Sequence, residues 1–192
     1  MSIQNFILSS VPAWIQKYTI SKNELTIYVY PEYIVPFLYF LRDHTRVEHK
    51  LLMDLTATDF TNQEKRFEVV YNLLSVRYST RIRVKTCIDQ VTPIESCIDV
   101  YKSANWFERE VCDMFGIFFT NHPDLRRILT DYGFNGYPLR KDFPLTGFFE
   151  VRYDDTKKRV ISEPLELTQE FRYFSFQSPW ELINKTETPG LS

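Results

Sequence analysis

The densest grouping of ionisable side chains in the sequence is Glu108-Arg109-Glu110 with Asp113 three places on, carboxylates that could in principle exchange protons. On a helix, however, Glu108 and Glu110 are two positions apart and point in different directions, whereas Arg109 and Asp113, four apart, are expected to pair. No histidine, nucleophile or metal-ligand set lies close in sequence to complete a catalytic group, so catalysis is not expected here. His44 and His49 are five apart and miss the four-residue spacing that puts two imidazoles on one helical face; His122 stands alone. Cys87, Cys97 and Cys112 are an odd number with no CxxC pair, which is neither a disulfide framework nor a zinc or iron–sulfur pattern, and buried free thiols are expected. The first 115 residues contain no glycine, which excludes a glycine-rich phosphate cradle in that half.

These groups must be held by regular elements. Leu25 to Tyr30 alternates as a strand with Leu25, Ile27 and Val29 on one face. Pro31 opens a helix reaching Arg42, where Ile34, Phe37, Leu38 and Leu41 recur at helical spacing. Leu51 to Leu55 reads as a strand. Phe67 to Thr86 exceeds the usual strand length of about 3–10 residues and reads as a hairpin turning near Arg77 to Thr80. In its second arm Ile82 and Val84 face one way, and Arg81, Arg83 and Lys85 the other, so the sheet has one covered and one polar side. The basic stripe with Arg77 is a candidate nucleic-acid track, but no interleaved aromatic platform accompanies it. Thr92-Pro93-Ile94-Glu95 has the form of a capping box and predicts a helix burying Ile94, Cys97, Ile98 and Tyr101. A second helix, after a break near Ser103 to Asn105, places Phe107, Val111, Met114 and Phe115 on one face and ends where Gly116 can turn left-handed.

Charge and composition bound the function. Residues 1–149 carry 17 basic and 17 acidic groups, which argues against a general nucleic-acid or anionic-membrane binder. The 16% aromatic content excludes a disordered chain. No run approaches the ~20 apolar residues of a membrane-spanning helix. The uncharged first sixteen residues lack the basic n-region of a signal peptide, and the first arginine, Arg42, comes too late for a transit peptide.

After Gly116 the pattern changes. From Tyr132 to Trp180 there are 12 aromatic residues, among them Phe134, Phe143 and Phe174, separated by glycines and prolines that break regular elements. A segment too apolar for a linker and too irregular for a core of its own is expected to order over a partner subunit, with a fold-back on its own domain as the alternative. Residues 150–192, with 8 acidic and 6 basic groups, account for the whole net charge of −2. The expected organisation is therefore an α+β domain over 1–129, with a mixed or antiparallel sheet covered on one face by helices, and an extended tail over 130–192.

The run FEREVCDMFGIFFTNHPDLRRIL, Phe107 to Leu129, closely resembles the signature of the 30-kilodalton subunit of respiratory complex I, the proton-pumping NADH:ubiquinone oxidoreductase. Glu108, Arg109, Glu110, Asp113, Met114, Phe115, His122, Arg126, Ile128 and Leu129 fill its positions. The later DYGFNGYPLRKDFPLTGFFEVRYDD and QEFRYFSFQSPWE resemble the mitochondrial and α-proteobacterial branch.

The resemblance implies a non-catalytic subunit of the peripheral arm that binds no cofactor, with NADH, FMN, iron–sulfur clusters and ubiquinone held by neighbours. It implies packing against the quinone-site, 49-kilodalton type subunit, which the C-terminal extension would wrap. It also implies attachment to the matrix side of the mitochondrial inner membrane through the complex alone, and the absent transit peptide suggests an organelle-encoded protein. On this reading Glu108, Arg109, Glu110 and Asp113 orient the signature helix, His122 belongs to the same signature, and Arg126, Arg127, Arg140 and Lys141 bond to partner backbone or carboxylates. Tyr132, Phe134, Phe143, Phe174 and Trp180 would be the partner-anchoring aromatics. The alternatives are a homologous subunit of bacterial complex I, a chloroplast NDH complex or a membrane-bound hydrogenase and, more remotely, an RNA-binding α+β domain.

Overall fold

The computed structural model describes residues 3–22, 24–166, 171–176, 178 and 180. The chain divides into two units, Met1–Leu145 and Thr146–Ser192. The first is built from α1 (Ile3–Ser10), β1 (Ile15–Ser21), β2 (Glu24–Val29), α2 (Ile34–Asp43), β3 (Leu51–Asp59), β4 (Phe67–Ser75), β5 (Thr80–Ile88), β6 (Ile94–Glu95), α3 (Ala104–Phe115) and β7 (Phe119–Thr120).

Alternation in the strands makes one sheet of five, in the order β1-β2-β5-β4-β3. The predicted hairpin forms as β4 and β5, and its register sets Tyr71 opposite Val84 and Leu73 opposite Ile82, so their apolar side chains share a face. Only the β2–β5 pair is parallel, with Leu25 opposite Ile82 and Ile27 opposite Val84, which makes the sheet mixed. That face meets Ile34, Phe37, Leu38 and Leu41 of α2, all buried, and Ala104, Val111 and Phe115 of α3. Each such side chain taken from water contributes roughly 2 kcal/mol before entropy is counted. The helices and the sheet together form an α+β unit.

On the opposite face of the sheet and in the β4–β5 turn, basic side chains meet neighbours of their own. Lys85 pairs with Glu68 at 2.6 Å, Arg77 with Glu48 at 2.6 Å, and Arg83 donates to the Asn72 side chain at 2.9 Å. The basic stripe is thus largely occupied by its own neighbours.

The predicted helix over Ile94 to Tyr101 does not form. The Asp89 carboxylate takes the Thr92 N–H at 2.7 Å, and the N–H groups of Ile94 and Ser96 donate to the carbonyls of Phe118 and Thr120, both at 2.9 Å. Ile94–Glu95 is therefore a strand paired in parallel with Phe119–Thr120, and the backbone bonds that a helix would need are already spent. Only one turn follows, with Tyr101 N–H bonded to the Cys97 carbonyl at 2.8 Å. Ile94, Cys97 and Tyr101 are buried all the same.

The boundary expected between 129 and 130 lies instead after Leu145, because residues 130–145 are bonded into the first unit. In the second unit the segment expected to have few regular elements contains a hairpin, β8 (Phe149–Asp154) with β9 (Arg159–Pro164), braced by a two-pronged Arg152–Glu163 pair at 2.8 and 2.9 Å. Residues 171–176 follow without strand or helix, and residues 167–170, 177, 179 and 181–192 of the predicted tail lie outside the described residues.

Candidate functional site

Helix α3 has one inward face and three elements to tie together, and its acidic side chains do the tying. Glu108 is buried, its Oε1 accepting the backbone N–H of Cys97 at 2.7 Å and its Oε2 the Ser96 hydroxyl at 2.6 Å. It thereby joins α3 to the chain leaving β6. Burial raises its pKa above the ordinary carboxyl value, while the Ser96 and Cys97 donors pull the other way. The His122 ring lies 3.9 Å away, with its side chain fully enclosed. Its Nδ1 accepts the Asp124 N–H at 3.1 Å and its Nε2 faces the Asn105 carbonyl at 3.3 Å.

One turn on, Asp113 gathers the irregular segment beyond the helix. Its Oδ2 accepts the N–H groups of Ile128, Leu129 and Thr130 at 3.2, 2.8 and 2.9 Å, and its Oδ1 the Thr130 hydroxyl at 2.6 Å. Burial acts to raise its pKa, but these donors outweigh it and hold the carboxyl below its usual range. The expected Arg109–Asp113 pair is absent from this arrangement. Arg109 donates to the Arg126 carbonyl at 3.1 Å and lies over the Trp106 ring, and Arg127 is the cation near Asp113, at 3.4 Å. The backbone donors fill the carboxylate more fully than an exposed i,i+4 pair could. Glu110 is exposed.

A third carboxylate, Asp59 at the end of β3, was not singled out by sequence. Arg66 grips it in a fork at 2.6 and 2.7 Å, and the Lys141 N–H donates to it at 2.8 Å. The Arg66 bond is the main reason its pKa is lowered. The D-F-x5-R spacing across a polar turn was the available signal, but it requires the hairpin register to be read.

The predicted interface cations divide. Arg127 donates to the Gly136 carbonyl at 3.3 Å, and Arg140 donates through Nε to the Phe115 carbonyl at 2.6 Å while stacking 4.4 Å from the Tyr137 ring. Both make bonds inside the chain. Lys141 is fixed through its backbone, and Arg126 is exposed beside Asp124 at 3.0 Å. Gly116 closes α3 at φ +73°, and a Cβ there would come within 2.6 Å of both Arg140 and Tyr137, so the glycine serves the turn and the close approach together.

The predicted aromatics divide likewise. Phe134 and Phe143 are half-buried, with ring centroids 5.9 Å apart, and Gly136 lets the Phe143 ring approach. Tyr132 is fully exposed, and Phe174 and Trp180 are exposed in the second unit. Trp106, Phe118 and Leu129 are further exposed apolar residues on α3 and the segment it holds. The hairpin adds a face of its own, since the register places Phe149, Val151, Tyr153 and Val160 on one side, all exposed.

Residues 27–149 match the family described as "Respiratory-chain NADH dehydrogenase, 30 Kd subunit". The chain belongs to this family. The match takes in α3, all three carboxylates and the segment they hold. The chain is 61% identical to NADH-ubiquinone oxidoreductase subunit 9 of Prototheca wickerhamii over 96% of both chains. It is 58% identical to NADH dehydrogenase [ubiquinone] iron-sulfur protein 3 of Oryza sativa subsp. japonica over 88% of both. Among solved structures it resembles a chain of the membrane-bound sulfane sulfur reductase, an archaeal respiratory membrane complex, with a TM-score of 0.63 and 28% identity over 73% of this chain and 83% of that one.

The rice relative's name carries the words "iron-sulfur", and such a cluster would need thiolate ligands. Cys87 lies on β5, Cys97 after β6 and Cys112 on α3, and burial raises the pKa of each, which favours the protonated thiol over the thiolate a cluster requires. Among the described residues no group of three or more His, Cys, Asp or Glu is placed to hold a metal ion. The residues present do not fit such a cluster.

Proposed function

We propose that this chain is a core structural subunit of the peripheral arm of mitochondrial respiratory complex I, supporting electron transfer from NADH to ubiquinone without carrying a cofactor or catalytic group. Its place is the matrix side of the inner membrane, held there through the complex. Its main neighbour is the quinone-site subunit, and the second unit lies along that neighbour. Family membership and relatives at 61% and 58% identity support the role of complex I subunit. Electron transfer depends on distances between centres in neighbouring subunits, which a rigid scaffold fixes.

The observation that carries the scaffold reading is the contrast in one segment between what is bonded and what is bare. Buried Asp113 holds residues 128–130 in place, while Leu129 and Tyr132 of the same stretch stay exposed. Exposed apolar side chains on a fixed backbone are what a docking surface presents. The test replaces Leu129 and Tyr132 together by Asp in cells that lack the native chain. The expected result is a chain that folds normally but leaves the peripheral arm unassembled on native gels, with NADH:ubiquinone reduction lost. Full assembly with both charges in place would contradict the reading.

A further inference from the structure

The sheet of the first unit has two edges, and they are finished differently. At the β3 edge the side chains on the helix-covered face, Leu55, Ala57 and Asp59, are buried. At the β1 edge residues 17–21 are all exposed. Tyr18 and Ile20 stand opposite Ile27 and Leu25 and so lie on that same helix-covered face, yet Tyr18 is 53% and Ile20 50% exposed. The apolar face of the sheet runs on past its cover.

The backbone of the same two residues is also unmet. The two-residue turn after β1 makes Ser21 and Glu24 a hydrogen-bonded pair, so Thr19 bonds to β2 as well, while Tyr18 and Ile20 turn their N–H and C=O groups outward. The Tyr30 N–H donates to the Trp14 carbonyl at 3.2 Å, which continues that alternation. Among the described residues no strand or other backbone group pairs with these outer groups. Proteins usually blunt such an edge with a proline, a bulge or an inward-pointing charge. Here β1 has no proline, its one irregularity falls at Gln16, and Lys17 lies on the opposite face over the Tyr28 ring.

We propose that β1 is the acceptor edge for an extended segment of a neighbouring subunit, which joins the sheet as a sixth strand. Its backbone groups bond to those of Tyr18 and Ile20, and its alternate apolar side chains lie beside these two and toward an open cleft of about 390 Å³ lined by Leu8, Pro12 and Ile15. An acidic side chain on its other face meets Lys17. Charge selects this occupant. Lys17 and Lys22 are the charged residues of β1 and its turn, and among the described residues neither has a carboxylate partner. Antiparallel pairing with a second copy of β1 would bring the copy's Lys17 or Lys22 toward Lys17, like charge toward like. The edge shares no residue with the surface of Leu129 and Tyr132.

The test compares amide hydrogen exchange in the free chain and in the assembled complex. The Thr19 amide, bonded to β2, should be protected in both, whereas those of Tyr18 and Ile20 should exchange quickly in the free chain and about tenfold or more slower in the complex. Ile20→Pro removes an outward N–H and leaves the β1–β2 ladder whole, so the free chain should keep its unfolding midpoint while assembly on native gels falls. Lys17→Glu should lower assembly too, and Lys17→Arg should not. Equally fast exchange at Tyr18 and Ile20 in both states, or full assembly of Ile20→Pro or Lys17→Glu, overturns the proposal. So does protection of Tyr18 and Ile20 that grows with concentration in the free chain, which would make the occupant a second copy. Should Ile20→Pro destabilise the free chain, the wild-type exchange comparison and Lys17→Glu still decide it. Because exchange is read on complex already assembled, a negative result there leaves the subunit reading standing.

Discussion

Two stretches of this chain contain no helix, residues 116–145 and the hairpin of the second unit, and they are held in different ways. Residues 116–145 are tied to their own unit by donors converging on Asp113 and Asp59, and by Arg140 reaching the Phe115 carbonyl. The hairpin of the second unit has its ladder and the Arg152–Glu163 fork, while the whole of one apolar face remains exposed. An isolated two-stranded hairpin is marginal in water. Irregular backbone can therefore be as well determined as a strand when a buried carboxylate collects its N–H groups, and a regular hairpin can still need something to cover it.

Removing the collecting group should break the first stretch. Asp113→Ala leaves the N–H groups of 128–130 and the Thr130 hydroxyl without their acceptor, and should cost about 3 kcal/mol in urea unfolding of the chain. A loss below about 0.5 kcal/mol would mean that this segment is held by something else.

Acidification acts next. His49 has its pKa lowered by burial from 6.5 to about 4, so its neutral form is favoured by folding; the contribution is complete above pH 6.5 and is lost as pH falls toward 4. The full span is on the order of 3 kcal/mol by linkage. Glu108 opposes it, since its raised pKa makes protonation easier in the folded chain. The unfolding midpoints of wild type and His49→Phe, measured from pH 7 to pH 4, isolate the histidine, and the wild-type midpoint should fall relative to that of the variant on acidification.

Gly116→Ala forces a Cβ into a left-handed position 2.6 Å from Arg140 and Tyr137, and should cost about 2 kcal/mol. Arg140→Ala loses the bond to Phe115 and the stacking on Tyr137, about 1–2 kcal/mol. At the small end, Val151→Asp on the bare hairpin face should change chain stability by less than about 0.5 kcal/mol in the same assay while lowering assembly on native gels.

The sheet and α3 were legible in the sequence because their signals are periodic. Leu25, Ile27 and Val29 alternate, Ile34 to Leu41 repeat at helical spacing, and Gly116 marks the stop. The helix predicted at Ile94 was misread because a capping box is a local signal, and pairing with a strand 25 residues later overrode it. At the candidate site, the signature residues were found, but not what they bind. Arg109–Asp113 was the local pairing, whereas Asp113 takes donors from 128–130, and Asp59 meets Lys141 across 82 positions. Spacing along one helix carries no information about a segment that returns to it.

The central claim is that residues 116–145 are ordered by their own unit and that the hairpin is completed by a partner. Amide hydrogen exchange on the free chain and on the assembled complex tests it most directly. The account predicts protected amides at Ile128, Leu129 and Thr130 in both states, with those of Phe149–Asp154 and Arg159–Pro164 exchanging quickly in the free chain and slowly in the complex. Rapid exchange at 128–130 in the free chain, or hairpin amides whose protection does not change on assembly, would contradict it.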